Sequence, residues 1–433
     1  MAAVEGLTKI PELRRRLLFT IGMLAVYRIG CHIPVPGVNT DTLSQFFQRN
    51  QGTLFGMLNA FSGNALENAS IFALGIMPYI SASIIFQLLT VVWPHLHQLS
   101  KEGEMGRKKI NQYTRYATVV LALFQGFGIS KALLGTGGGA YILSAQYFTF
   151  VAMITLAAGT SFIMWLGEQI TERGIGNGIS LIIFAGISSG IPVAIQQTIQ
   201  AVRDGQLAPI LFLAMMAIMV CVIGVIIFLE QGQRRIPIQY AKRQVGRKLY
   251  GGQSTHLPLK INTSGVIPPI FASSLLMAPL TLFAFLPADN VIITAIKSML
   301  ERGGTLYYTI YVGLIVFFAF FYTAVVFNTE DVAENLKKSG GYVPGIRPGK
   351  NTSDYLDRVL ARITFGGALY LAIVCLLPDF MMTKFKVSFF FGGTTLLILV
   401  GVALDTISQI QTFLLTRDYD GFMKNAKLRG RRG

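Results

Sequence analysis

Ten stretches of about 20 mostly apolar residues follow one another along this chain, near 17–35, 71–93, 114–134, 148–167, 178–196, 208–229, 265–286, 306–328, 363–380 and 388–415. A stretch of that length can cross the hydrocarbon core of a bilayer as a helix, satisfying its own backbone hydrogen bonds. Charge is correspondingly scarce. Asp, Glu, Lys and Arg make up 13% of the chain and apolar residues 52%, whereas an average soluble chain spends about a quarter of its residues on charge. The sequence predicts an all-α polytopic membrane protein. Disorder, collagen and coiled coil are excluded, because each needs charge, a strict glycine period or heptads that are missing.

The charge that remains is basic, 37 Lys and Arg against 21 Asp and Glu for a net +16. It falls in alternate connections: the N-terminal arm, the connections after stretches 2, 4, 6 and 8, and the C-terminal tail. Basic connections stay in the cytoplasm, where they also face anionic phospholipid, so both termini are expected there. Arg14, Arg15 and Arg16 precede the first apolar run, but no small-residue cleavage site follows, which predicts a retained helix and not a signal peptide. Cys31, Cys221 and Cys375 stand singly in apolar surroundings and are assigned to packing.

Three connections are unusual. Residues 230–262, with Arg234, Arg235, Lys242, Arg243, Arg247 and Lys248, and residues 329–362, with Lys337, Lys338, Arg347 and Lys350, are too long for turns and suggest a paired docking platform. Between Pro36 and Ser70, the run Leu54–Phe61 is apolar yet too short to span, and Ser62-Gly63-Asn64 closes it. Such a segment at membrane depth predicts a short helix folded back into the protein from the external side.

Gly75-Ile76-Met77-Pro78-Tyr79-Ile80-Ser81-Ala82-Ser83 aligns with Gly265-Val266-Ile267-Pro268-Pro269-Ile270-Phe271-Ala272-Ser273, matching at five of nine positions. The two lie in stretches 2 and 7, five apart in a series of ten, so the match predicts two five-helix halves, 1–200 and 201–433. Five is odd, so the halves must be inverted, an architecture that places its pathway at their interface. Proline and glycine at the start of both matched helices are expected to loosen the first turn. Small residues at Ala82, Ser83, Ala272, Ser273 and Ser274 permit a close seam that can open.

Catalytic chemistry is missing. Away from the ends of the stretches, the ionisable residues an intramembrane enzyme or ion-coupled carrier would use reduce to Arg28, near the outer end of the first stretch, and Asp405 within the tenth, neither with an evident partner in the sequence. Gly349-Lys350-Asn351 fails as a phosphate loop at Pro344 and again at Asn351, so no nucleotide site is expected. Gly174-Ile175-Gly176-Asn177-Gly178 lacks dinucleotide spacing and reads as a flexible turn. The four histidines show no metal-ligand spacing, and no cofactor is expected.

Ala73–Gln87, Lys101–Tyr116, Met164–Gly178, Gln233–Lys260, Gly265–Ser274, Asn328–Gly349 and Phe391–Leu397 closely resemble the SecY family of protein-conducting channel subunits, in its bacterial form. The resemblance implies a ten-helix clamshell around a central pore in the plasma membrane. It implies a passive channel for unfolded secretory polypeptides, not an enzyme. It places an apolar pore ring on Ile76, Ile80, Ile179, Ile183, Ile270 and Ile398, and a re-entrant plug on residues 54–66, with Leu58, Phe61, Ser62, Gly63 and Asn64 at its centre. A lateral gate between stretches 2 and 7 would use Ser81, Ser83, Gln87, Gln125, Ser273 and Ser274. Arg234, Arg235, Lys242, Arg243, Arg247, Lys248 and Arg347 would dock the motor ATPase SecA or the ribosome. The implied partners also include the small membrane subunits SecE and SecG, signal sequences and precursor chains. One departure is Asn64, where the family commonly has a second glycine.

Two other classes compete on general grounds. An inverted-repeat transporter of a small solute would need a polar site at mid-membrane on broken helices. An intramembrane hydrolase would need a nucleophile and base on facing helices, and the sequence offers no such pair.

Overall fold

The computed structural model describes residues 11–38, 59, 62–135, 144–205, 208–240, 243–245, 248–250, 254–283, 304–385 and 393–425. Each of the ten apolar stretches overlaps a helix in it. These are α1 (Pro11–Gly30), α2 (Met77–Val92), α4 (Glu104–Gly135), α5 (Ala145–Arg173), α6 (Gly178–Arg203), α7 (Pro209–Gln231), α8 (Ile267–Phe283), α9 (Thr305–Val326), α11 (Lys350–Phe385) and α12 (Gly393–Asn425). Two short helices, α3 (Pro94–Lys101) and α10 (Thr329–Lys338), complete the helical set among the described residues.

Among the described residues, six helical segments are long and apolar enough to cross a membrane, and α2 with α3 makes a seventh if the bent pair counts as one span. The remaining three stretches lie on α1, on α4, whose first turns carry Arg107, Lys108 and Lys109, and on α8, whose described apolar part is Ile267–Leu276. Helix α2 turns by 97° into α3 at Trp93. That residue precedes Pro94, which excludes the helical region for its neighbour, and Trp93 is extended at φ −97° and ψ 115°.

The chain forms two compact units. The first comprises Met1–Gln197, Thr281–Pro287 and Ile398–Gly433, the second Thr198–Leu280 and Ala288–Leu397.

In the first unit, α4 and α5 pack along their lengths and are joined by an ion pair, Arg115 Nε to Glu168 Oε1 at 2.7 Å. The loop before α2 seals this unit: Leu66, Ala69, Ala73 and Leu74 are buried in one apolar cluster with Phe148, Ala152 and Leu156 of α5. Tyr27, Phe72 and Phe162 stack in a row, 6.1 and 5.9 Å between ring centres. Glycines allow this closeness. Any side chain at Gly159 would overlap the carbonyl of Ile71, and one at Gly30 would enter the Phe72 ring.

In the second unit the two long connections fold together. Strand β1 (Gln233–Tyr240) pairs antiparallel with β4 (Ser254–Lys260) and with β5 (Gly341–Tyr342), and β2 (Arg243–Val245) with β3 (Lys248–Tyr250) forms a hairpin between them. Ile236 and Leu259 alternate inward from the sheet onto Val343, Leu356 and Leu360, so one connection supplies most of the sheet and the other the helical layer. Burying each of these side chains contributes about 1.5–3 kcal/mol. Asn328 caps α10, its side chain accepting from the amides of Glu330 and Asp331. Asn328→Ala is expected to cost about 1 kcal/mol and to make residues 329–349 more sensitive to limited proteolysis, which peptide mapping would detect.

Candidate functional site

The structure gives the start of α2 and the start of α8 the same local build. Gly75 has φ +56° and Gly265 φ +62°, and each helix begins two residues later with a proline in its first turn. Proline there replaces an amide that has no intrahelical partner and presets φ. The prolines thus fit the helix start, and the bend into each helix is at its glycine.

Before α2, residues 59 and 62–76 form a series of tight turns. The Asn59 carbonyl accepts from the Asn64 amide at 2.8 Å and from Ser62 Oγ at 3.0 Å, and its side-chain oxygen accepts from the Glu67 amide at 2.9 Å. Asn64 has φ +65°, next to Gly63 at +69°. Asparagine tolerates the left-handed region better than other non-glycine residues, so Asn64 adopts the conformation that glycine would. Two side chains of α1 hold the turn: Tyr27 Oη donates to the Ser62 carbonyl at 3.1 Å and an Arg28 guanidinium nitrogen to the Gly63 carbonyl at 2.9 Å. Arg28, isolated in the sequence, thus has its partner here. Leu58 and Phe61 lie outside the described residues.

The turn between α5 and α6 is anchored, not flexible as expected. Gly174, Ile175 and Gly176 are buried. Thr20 Oγ1 of α1 accepts from the Ile175 amide at 3.1 Å, Gln409 Oε1 of α12 from the Gly176 amide at 3.0 Å, and Thr171 Oγ1 from the Gly178 amide at 2.9 Å. Asn177 Oδ1 then caps α6 by accepting from the amides of Ile179 and Ser180. Three helices thereby fix where α6 begins, and with it Ile179 and Ile183.

Of the residues expected in the pore ring, Ile76, Ile80, Ile183 and Ile398 are buried, Ile398 completely, while Ile179 and Ile270 are half-buried. Ile76 and Ile80 project from one face at helical i,i+4 spacing, with the Ile80 amide bonded to the Ile76 carbonyl at 3.1 Å, and Ile179 and Ile183 share a face of α6 in the same way.

Among the gate residues, Ser81, Ser83, Gln87 and Gln125 are half-buried and Gln87 Nε2 donates to Ser83 Oγ at 3.3 Å within α2. On α8, Ser273 Oγ returns to the Ile270 carbonyl at 2.9 Å, whereas Ser274 Oγ is buried without a hydrogen-bond partner among the described residues. The start of α8 is tied within its own unit by Asn262, which donates to Glu230 at 2.6 Å and to the Gly265 carbonyl at 3.0 Å.

Arg234 and Arg235 are exposed on β1, and Arg347 is exposed between β5 and α11. Arg243 and Lys248 lie on the β2–β3 hairpin, their side chains outside the described residues, as are Lys242 and Arg247. Among the described residues no group of His, Cys, Asp or Glu could hold a metal ion, and Asp405 is exposed on α12.

The comparisons agree over almost the whole chain. The family description "SecY" matches residues 70–407. A protein translocase subunit SecY of Vibrio cholerae is 52% identical over 97% of this chain and 96% of its own length. The solved structure of a protein-conducting channel is alike in fold, with a TM-score of 0.64 at 20% identity over 98% of this chain and 99% of that one. The Sec61 channel of a canine ribosome–channel complex is alike with a TM-score of 0.60 at 19% identity, over 98% and 99%. A chain each of whose ten apolar stretches overlaps a helix, and which is half-identical to a bacterial translocase subunit over 97% of its length, is a multi-pass membrane protein and not an enzyme; it belongs to the SecY family, the channel subunit of the Sec protein translocase.

Proposed function

We propose that this subunit is a passive conduit through which unfolded precursor chains cross the bacterial plasma membrane, and from which apolar segments leave sideways into lipid. Family membership over the full chain carries this reading, and the near-absence of ionisable groups in the apolar stretches supports it. A pore that passes unrelated sequences has no use for directional hydrogen bonds. Isoleucines, stiff at χ1, suit a constriction that expels water when empty and closes around a chain without sequence preference. Ile76, Ile80, Ile179, Ile183, Ile270 and Ile398 form that ring in this reading, between inverted halves 1–200 and 201–433. Residues 54–66 plug it from outside.

The lateral exit lies between α2 and α8. A segment inside partitions into lipid when its transfer is favourable, each leucine-like residue contributing roughly half a kcal/mol and a central charge costing about 3. The hydroxyl of Ser274, unpaired among the described residues, supports a seam that opens, since a buried unsatisfied group costs about 1–3 kcal/mol. Both termini and the paired connections face the cytoplasm, in line with their basic charge. Arg234, Arg235, Lys242, Arg243, Arg247, Lys248 and Arg347 there engage SecA or the ribosome, as the ribosome-bound relative suggests. SecE and SecG complete the assembly, and anionic phospholipid surrounds it.

Photocrosslinking amino acids at Ile80 and Ile270 test the conduit directly. With a stalled secretory precursor, both positions are expected to capture it. Capture by neither, with stoichiometric uptake of a small solute instead, would replace the conduit with a transporter.

A further inference from the structure

We infer that Tyr27 and Arg28 form a two-donor latch that holds the resting plug, so that their release is part of channel opening. The inference rests on the plug reading above and adds the residues of α1 that set how firmly the plug is seated.

Consecutive residues at the end of α1 reach consecutive carbonyls of the closing turn. Tyr27 Oη donates to Ser62 and Arg28 to Gly63, at 3.1 and 2.9 Å. The Cys31 thiol lies 4.0 Å from the same Ser62 carbonyl, and Asn68 Nδ2 donates back to the Cys31 carbonyl at 3.4 Å. The turn is internally complete, because Asn59, Ser62, Asn64 and Glu67 satisfy one another. Its far end stays joined to Asn68, Ala69 and Ser70, whose amides bond to the carbonyls of Asn64, Leu66 and Ala65, so the Ser62–Gly63 end swings out of its seat when the bonds from Tyr27 and Arg28 are lost.

The seat itself is shaped by glycine. A side-chain carbon on Gly63 would come within 2.8 Å of the Gly186 Cα, and one on Gly186 within 3.2 Å of the Tyr27 hydroxyl. Gly186 on α6 lets the turn approach close enough for both donors to reach it. The acceptors are neutral carbonyls, and Arg28 is half-buried, so its charge can be rehydrated when the turn departs. A cation bonded to a neutral acceptor holds more firmly than a neutral pair, without the desolvated counter-ion that would make release prohibitive.

The experiment uses the complete translocase in vesicles and reads resting ion leak together with ATP-driven export of a normal precursor. Tyr27→Phe with Arg28→Met is expected to raise the leak by at least about tenfold, the population shift from losing the charge-assisted Arg28 bond alone, to which the lost Tyr27 bond adds, with export undiminished. Arg28→Lys, which keeps the charge and a donor, should leak less than Arg28→Met; equal leak from the two would overturn the hydrogen-bonding assignment. Deletion of Ser62–Leu66 separates the two levels of inference. A leaky deletion beside a tight double variant would sink the latch and spare the plug, whereas a tight deletion would sink the plug reading itself. A leak accompanied by lost export would mean a damaged fold and would also overturn the latch.

Discussion

A channel in which Ile80, Ile179, Ile270 and Ile398 are all replaced by glycine is expected to leak ions at rest by roughly tenfold or more over the unaltered protein in reconstituted vesicles. The expectation follows from what a ring of branched side chains does to water. In the proposed ring, four isoleucines removed at once would replace a nonpolar lining with backbone, and a constriction that gates by dewetting would then fill. Glycine also costs about 1 kcal/mol at each helical position, so a second set is needed to separate a lost ring from a loosened fold. Leucine at the same four positions keeps the volume and apolar character, and should leave the vesicles tight while altering signal-sequence stringency only slightly. An unchanged leak in the glycine set would remove these isoleucines from the barrier. Ile398 and Ile80 are the more informative pair for single substitutions, because both are buried and each stands on a helix whose position is fixed independently, α12 by the Gln409 contact and α2 by the turn at Gly75.

Hydropathy along the chain is sufficient to locate every long helix among the described residues, because a membrane span is a local property: its length and apolar content are written in about 20 consecutive residues. The repeat was legible for the same reason, and the matching left-handed glycines at 75 and 265 give it a backbone counterpart. What could not be read was anything made by a side chain reaching a distant main chain. The Gly174–Gly178 turn looks flexible by composition, but Thr20 and Gln409, 155 and 233 residues away, hold its amides. Arg28 looked solitary because its acceptor is a backbone carbonyl, which carries no signature in the residue type of Gly63. Arg115 and Glu168 sit 53 residues apart at the ends of two apolar stretches, and only the packing of α4 on α5 brings them together. The two basic connections were recognised as a pair by length and charge. Their joining through β5 was invisible, since two residues are too few to show a strand period.

Arg347→Glu is expected to abolish ATP-driven translocation, by at least about a hundredfold, the loss that follows from reversing a charge in the docking role proposed for it, while the protein still folds and assembles. The tip that carries Arg347 is rigid for reasons that do not involve its side chain. Gly345 and Gly349 turn the chain at φ +81° and +105°. The Ile346 amide bonds to the Val343 carbonyl at 3.1 Å, Ile346 packs on the cluster around Leu356, and the Arg347 carbonyl accepts from Thr352 Oγ1 at 3.0 Å. The guanidinium is exposed at the edge of a cleft of about 330 Å³ that Asn351, Asp354, Tyr355 and Arg358 also line. Two arginines beside one carboxylate leave that cleft suited to an acidic group from a partner, and glutamate at 347 would turn attraction into repulsion against the same group. Because the backbone of the tip is held by Thr352 and Ile346, the substitution should leave the proteolytic pattern of residues 329–362 unchanged. Translocation assayed with purified motor, precursor and ATP gives the decisive reading. Arg347→Lys keeps the charge but not the forked geometry and should retain part of the rate, while normal export by the glutamate variant would mean that the motor engages this protein elsewhere.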